Sequence, residues 1–205
     1  MERIGVLGGS FDPPHRGHLA LAGAAWQQLR LDKVLWAPAG QPPHKREQTP
    51  IHHRLAMTQL AIAGRPPFIL CRLDLERPGP HYTADLLDLL RAQYGRRAAF
   101  WFLLGADSLR DLAGWHAPER ILSACRLAVY PRPGVQVDWK SLEQLVPGVA
   151  NRLDWLEGPA IKLSSSLIRQ GLPPGKQVPP AVRRYIQTHQ LYPTRKINLP
   201  ETGIN

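Results

Sequence analysis

Cysteine is almost absent: Cys71 and Cys125 are the only two in 205 residues, far apart and each in an apolar context. A disulfide framework, a CxxC redox pair and a cysteine zinc knuckle are thereby excluded, and both residues read as buried free thiols of a cytosolic chain. Long apolar runs are missing as well. No segment approaches the ~18 to 20 uninterrupted apolar residues of a membrane span, and MERIGVLGG meets its glycine pair too early for a secretory leader. The expectation is a soluble, cytoplasmic protein with no membrane partner. Acidic residues are scarce beside basic ones, 16 Asp and Glu against 26 Lys and Arg, a formal charge of +10. That surplus favours anionic partners. It is not concentrated, however: from Asn151 to Asn205 eight basic residues stand against three acidic ones, spread along the segment. With no basic tract, no aromatic-interleaved RNA motif and no paired Cys/His finger, the expected partner is a small, multiply charged anion and not nucleic acid.

What is present is an alternation of short β-rich runs and helical periods. RIGVLGG reads as a strand, and HRGHLALAGAAWQQLRL then sets Leu19, Ala22, Ala25, Trp26 and Leu29 on one helical face. KVLWAPAG is the next strand, IHHRLAMTQLAIAG a helix closed by Gly64, FILCRLDL a strand, and YTADLLDLLRAQYG a helix closed by Gly95. AAFWFLLGADSL continues as a strand running into a short helix, APERILSAC as a helix, and RLAVYPRPG as a strand stopped by prolines. LDWLEGPAIKLSSSLIRQGL reads as strand, serine cap and short helix, and PPAVRRYIQTHQLY as a last helix opened by Pro179 and Pro180. The order predicts an α/β protein with a doubly wound parallel sheet, helices on both faces and a small C-terminal helical part. The tail PTRKINLPETGIN has no period and is expected to be loose.

The stretch GGSFDPPHRGH, Gly8 to His18, lies at the first strand-to-helix turn, where helix N–H groups and partial positive charge invite an oxyanion. Neither GxGxxG nor GxxxxGK[ST] can be read there. Gly8 and Gly9 allow positive φ and close backbone approach. His15 and His18, at i and i+3, project together from one helical face and bring hydrogen-bond donors, or charge when protonated by a bound phosphate. The residues alone leave three readings open: an anion site, two surface histidines at a cap, or a metal pair completed by Asp12 or His44.

The same stretch resembles the GxFDPxHxGH signature of the HxGH nucleotidyltransferases, which have a Rossmann-like sheet and transfer a nucleotidyl group from a nucleoside triphosphate. His15 stands where the phosphopantetheine branch typically has threonine. Further along, PAGQPPHK, HYTADLL, LLGADSLRDLAGWH, YPRPG and LSSSLIR are similar, in order and context, to segments of bacterial nicotinate-nucleotide adenylyltransferases. The resemblance runs from Gly5 to about Tyr192 and implies one nucleotidyltransferase domain over residues 1–192, with 193–205 as a tail. It implies ATP and nicotinate mononucleotide as partners, AMP transfer with release of pyrophosphate, and Mg²⁺ bound mainly through ATP.

The resemblance also carries roles onto matching positions. His15 and His18 become the catalytic pair. Gly8, Gly9, Ser10, Phe11 and His18 would hold ATP at the turn. His44 and Lys45 would add phosphate contacts, unless they are a solvated basic loop. Gly105 and Asp107 would meet the adenine or ribose, Asp107 having a helix-cap role as its alternative. LSSSLIR is similar to the family's ISxTxIR, with Leu163 for isoleucine and Ser166 for threonine. Ser164, Ser165 and Ser166 would hold ATP phosphates beside Arg169, or simply cap a helix. Tyr82, Thr83 and Trp115 would receive the pyridine and its carboxylate, and Arg132 the mononucleotide phosphate; Trp115 as plain core packing is the alternative. Two rivals stay open: a sister enzyme acting on nicotinamide mononucleotide or another phosphomonoester, and a non-catalytic nucleotide- or RNA-binding protein. Homo-oligomerisation stays open too.

Overall fold

The structure, a computed structural model, describes residues 1–42, 48–159, 163–171 and 176–192. Six strands form one parallel sheet in the order β3-β2-β1-β4-β5-β6. They are β1 (Glu2–Gly9), β2 (Lys33–Pro38), β3 (Phe68–Leu70), β4 (Ala98–Gly105), β5 (Arg126–Tyr130) and β6 (Leu153–Trp155). Between them run α1 (Arg16–Gln28), α2 (Ile51–Ile62), α3 (Thr83–Tyr94), α4 (Ala106–Arg110), α5 (Pro118–Ala124) and α6 (Trp139–Leu145), and α7 (Ser165–Arg169) and α8 (Pro180–Thr188) follow the sheet. Strand order reverses where β1 meets both β2 and β4, so a crevice opens beyond the carboxyl ends of β1 and β4.

The strands are apolar on both faces because both faces are covered. Along β4, Phe100, Phe102 and Leu104 pack on the side of α3 and α5, with Leu87, Leu90 and Ile121. Trp101 and Leu103 alternate to the other side, where Leu21, Ala22 and Ala25 of α1 cover them. A third apolar cluster joins Met57 and Ala61 of α2 to Ile168 of α7 and to Val178, Val182 and Ile186, so the C-terminal helices pack on α2. Cys71 and Cys125 are buried and free, and burial pushes the Cys125 thiol up to about 12. Among the described residues no helix is long and apolar enough to cross a membrane.

Several details depart from the sequence expectation. FILCRLDL is not one strand: β3 ends at Leu70, and Leu73–Glu76 turns into a 3-10 helix that buries Asp74 beside Arg77. On α1 the covered face runs through Leu21, and Trp26 is left 37% exposed because its neighbours Ala22 and Ala25 already fill the seam. Helix α6 carries no strong period and went unread, although Asp138 caps it by accepting from the Ser141 N–H at 3.1 Å. The expected tail, 193–205, lies outside the described residues.

Candidate active site

Residues Gly8 and Gly9 end β1, and the chain turns through Ser10–Pro14 before α1 begins at Arg16. The glycines do not use positive φ. The left-handed position falls instead on Phe11, φ 48°, whose ring is buried beneath the turn against Trp36 and edge-on to His18. Gly8 is needed for space: a Cβ there would sit 3.1 Å from the Phe102 ring.

His15 is the N-cap of α1 and not a helical residue, so the pair does not simply share a helix face. Its Nδ1 accepts from the Gly17 N–H at 3.1 Å, and the His15 N–H donates to Nδ1 of His18 at 3.1 Å. The two rings stack at 3.8 Å. Because a backbone N–H can only donate, both Nδ1 atoms must be lone-pair acceptors, which assigns the ring proton of each neutral imidazole to Nε2. Burial, reinforced by the Arg132 guanidinium, pushes His15 down to about 4. Of the two states the sequence leaves open for His15, neutral donor or phosphate-protonated cation, burial favours the neutral one.

These residues line a cleft of about 620 Å³ at the β1/β4 switch point. Gly8, Gly9, Ser10, His15, His18, Tyr82, Thr83, Gly105, Asp107, Trp115, Arg132, Ser164, Ser165, Ser166 and Arg169 all border it. Phe11 does not, being only 1% exposed, and His44 and Lys45 lie outside the described residues. The far wall is built by α7. Ser164 caps it, accepting from the Leu167 N–H at 3.3 Å; the Ser165 hydroxyl donates to the Pro13 carbonyl at 2.8 Å; Arg169 donates to the Asp12 carbonyl at 2.8 Å and to Ser166 Oγ at 3.1 Å. The serine segment is thus bonded to the histidine turn as well as facing the cleft.

Asp107 is the second residue of α4, which Gly105 precedes as N-cap, so the helix-cap reading of Asp107 does not hold. Its carboxylate is ion-paired with Arg132, whose other terminal nitrogen donates to the Leu163 carbonyl at 2.6 Å. Two residues expected to serve different substrates are therefore neighbours. A Cβ at Gly105 would stand 2.6 Å from Asp107 Oδ1, so a side chain there would require the Asp107 carboxylate to shift. At the other end, Trp115 is half-buried and stands edge-on to Phe102 at 5.9 Å, combining the core-packing and cleft-lining readings. Tyr82 precedes α3 and stacks on His116 at 4.2 Å. Asp85 in the first turn of α3 pairs with Arg120 at 3.1 Å and Arg77 at 3.8 Å, guanidiniums it shares with Asp88 and Asp74.

Arg54 was missed. It is 1% exposed and donates to the carbonyls of Ser10, Ala39, Gly40 and Thr49 at 2.7 to 3.0 Å, tying the turn to the exit of β2. The signal was in the helical period: Arg54 shares a face with Met57, Thr58 and Ala61, all buried. His81 was missed as well; its Nδ1 accepts from the Gln41 N–H at 2.8 Å beside the cleft. Among the described residues no group of three or more His, Cys, Asp or Glu side chains is placed to hold a metal ion.

The cytidylyltransferase-like family profile matches residues 6–171. A protein named "Probable nicotinate-nucleotide adenylyltransferase" in Thermomicrobium roseum is 46% identical over 206 residues, covering 98% of this chain and 96% of its own. Its namesake in a Roseiflexus species is 43% identical over 195 residues, covering 92% and 97%. Among solved structures, a Plasmodium falciparum nicotinic acid mononucleotide adenylyltransferase complexed with NaAD has a TM-score of 0.77 at 22% identity, over 94% of this chain and 98% of that one. At that identity the likeness speaks for the fold.

Proposed function

The chain belongs to the cytidylyltransferase-like family and, within it, to the nicotinate-nucleotide adenylyltransferases, and from that membership we infer that it joins the AMP portion of ATP to nicotinate mononucleotide. The products are nicotinate adenine dinucleotide and pyrophosphate, a step of NAD biosynthesis. The observation that carries the reading is the histidine turn itself: two imidazoles, oriented by backbone N–H groups on their Nδ1 atoms, that border the cleft at the open end of β1.

The reaction is an in-line attack by a phosphate oxygen of the mononucleotide on the α-phosphorus of ATP. That oxygen is ionised near neutral pH, so no side-chain base is required. Catalysis then rests on alignment and on donors aimed at the charge that builds on the α-phosphate and the leaving group. His18, with His15 beside it and the turn N–H groups, serves the α-phosphate. Ser164, Ser165, Ser166 and Arg169 serve the distal phosphates, although Arg169 already spends one donor on Asp12. Asp107 and Gly105 meet the ribose and adenine, and Phe11 contributes through its backbone and by supporting His18. His44 and Lys45 are further phosphate contacts in this proposal. Arg132 takes the mononucleotide phosphate.

Magnesium would be held mainly by ATP. Asp12 is buried, its carboxylate accepting from Tyr192 and the Thr49 N–H, Asp107 is paired with Arg132, and among the described residues no group of three or more His, Cys, Asp or Glu is placed to hold a cation. Phosphate oxygens and water suit such an ion, which would neutralise charge on the departing pyrophosphate. At the pyridine end, Trp115 supplies a flat surface. The first turn of α3, where Asp85 is paired with Arg120 and Arg77, offers N–H groups that favour a carboxylate over a neutral amide.

Pyrophosphate release with ATP, Mg²⁺ and each mononucleotide in turn tests the proposal. Turnover with nicotinate mononucleotide well above that with nicotinamide mononucleotide is expected. Equal turnover with both would overturn the acid preference, and none with either would overturn the assigned reaction.

A further inference from the structure

The last helix does not simply end. After α8 the Leu191 N–H returns to the Ile186 carbonyl at 3.0 Å, with Gln190 at φ 50° and Tyr192 at φ 66°. This is a left-handed helix stop made without glycine. Positive φ at a non-glycine residue is strained, and here two such positions, Gln190 and Tyr192, follow α8. The recipient of that turn is the Tyr192 hydroxyl, which donates to Asp12 Oδ1 at 2.7 Å.

Asp12 sits in the middle of the histidine turn and is 1% exposed. Its other carboxylate oxygen accepts from the Thr49 N–H at 3.3 Å and stands 4.0 Å from Arg169 Nε. A buried carboxylate oxygen without its donor is costly, so the turn is held where Tyr192 and Thr49 meet Asp12. The Arg16 N–H donates to the Gln177 carbonyl at 2.8 Å, a second tie from the same segment. Tyr192 does not border the cleft, so any effect on the reaction passes through Asp12.

We propose that Tyr192 is a positioning residue of the active centre: its hydroxyl, brought from the far end of the chain, holds the Asp12 carboxylate and so fixes the turn that carries His15 and His18. The C-terminal segment thereby does more than cover α2. It sets the distance between the imidazoles and the phosphates.

The proposal rests on the adenylyltransferase reading, and the experiment separates the two. Tyr192→Phe, in the full chain, is assayed for pyrophosphate release, and its His15 and His18 ring resonances are followed by NMR. A fall in kcat of about tenfold is expected, with KM for the mononucleotide within twofold of wild type and displaced ring resonances. In an Asp12→Ala background, which removes the acceptor, the same change should have little further effect, because the hydroxyl acts through that carboxylate. Unchanged resonances and kcat would overturn the proposal, as would full additivity with Asp12→Ala. A variant that failed to fold would overturn it too, since the hydroxyl would then serve the whole fold. If the wild type released no pyrophosphate, the reaction would be wrong while the ring resonances would still decide the positioning role.

Discussion

The His15 N–H donates to Nδ1 of His18 at 3.1 Å, so the residue that caps α1 is itself capped by the imidazole three positions on. With the Gly17 N–H on Nδ1 of His15, the arrangement is a capping box built from two histidines. Cap chemistry therefore falls on the two side chains to which the proposed mechanism gives the phosphate contacts. The backbone takes Nδ1 of each ring, and both rings border the cleft.

His18→Ala removes one cap acceptor and, in the proposed mechanism, a donor aimed at the α-phosphate. Loss of one such donor costs about 10² to 10³ in kcat, whereas loss of a cap costs about 1 kcal/mol of stability. Turnover should therefore collapse while urea unfolding shifts only modestly. A variant that retained near-normal pyrophosphate release would remove His18 from the mechanism.

His15 makes stability fall with acid. The unfolded residue takes up a proton near 6.5, the folded one only near 4. The contribution is intact above pH 6.5 and is lost progressively as pH falls toward 4, for a total of about 3 kcal/mol. In His15→Asn, which retains a cap acceptor but cannot titrate, unfolding in urea at pH 7 and pH 5 should show about 2 kcal/mol less acid loss than wild type. Parallel curves for the two proteins would show that His15 titrates normally.

Much of this site was legible before the fold was known. The βα alternation, the glycine pair at the end of β1 and the serine cap of α7 announce themselves because local geometry demands those residue types. What was not legible depends on long-range contact. Phe11 reads as part of a binding motif, yet its ring supports the site from below; the pairing of Asp107 with Arg132 joins segments 25 residues apart. Tyr192 meets Asp12 across 180 residues, and no local pattern signals it. Trp26 lies on the expected helix yet is 37% exposed, because helical spacing fixes which residues share a face and not how wide the buried seam is.

Arg54 should dominate stability among the residues around the turn. Arg54→Met deprives four carbonyls of their donor and leaves Asp12 with less compensation, so a loss of about 3 kcal/mol or more is expected. Arg54→Lys should recover less than half of it, because an ammonium cannot span four acceptors arranged around a planar guanidinium. Urea midpoints for the two variants decide this, and a lysine variant equal to wild type would mean that charge alone matters.

Arg132→Ala separates substrate binding from structure. The Asp107–Arg132 pair is about one-third exposed on each side, and such pairs contribute about 1 kcal/mol or less, so the melting temperature should scarcely move. KM for nicotinate mononucleotide should rise about tenfold, the effect of losing roughly 1.4 kcal/mol of binding. KM for ATP should change much less, whereas Asp107→Ala should show the opposite pattern. Arg132 also helps to hold His15 neutral, so removing it should move the His15 titration upward, visible in its ring resonances. If both variants raised both KM values equally, the two residues would act as one structural unit and not as contacts to separate substrates.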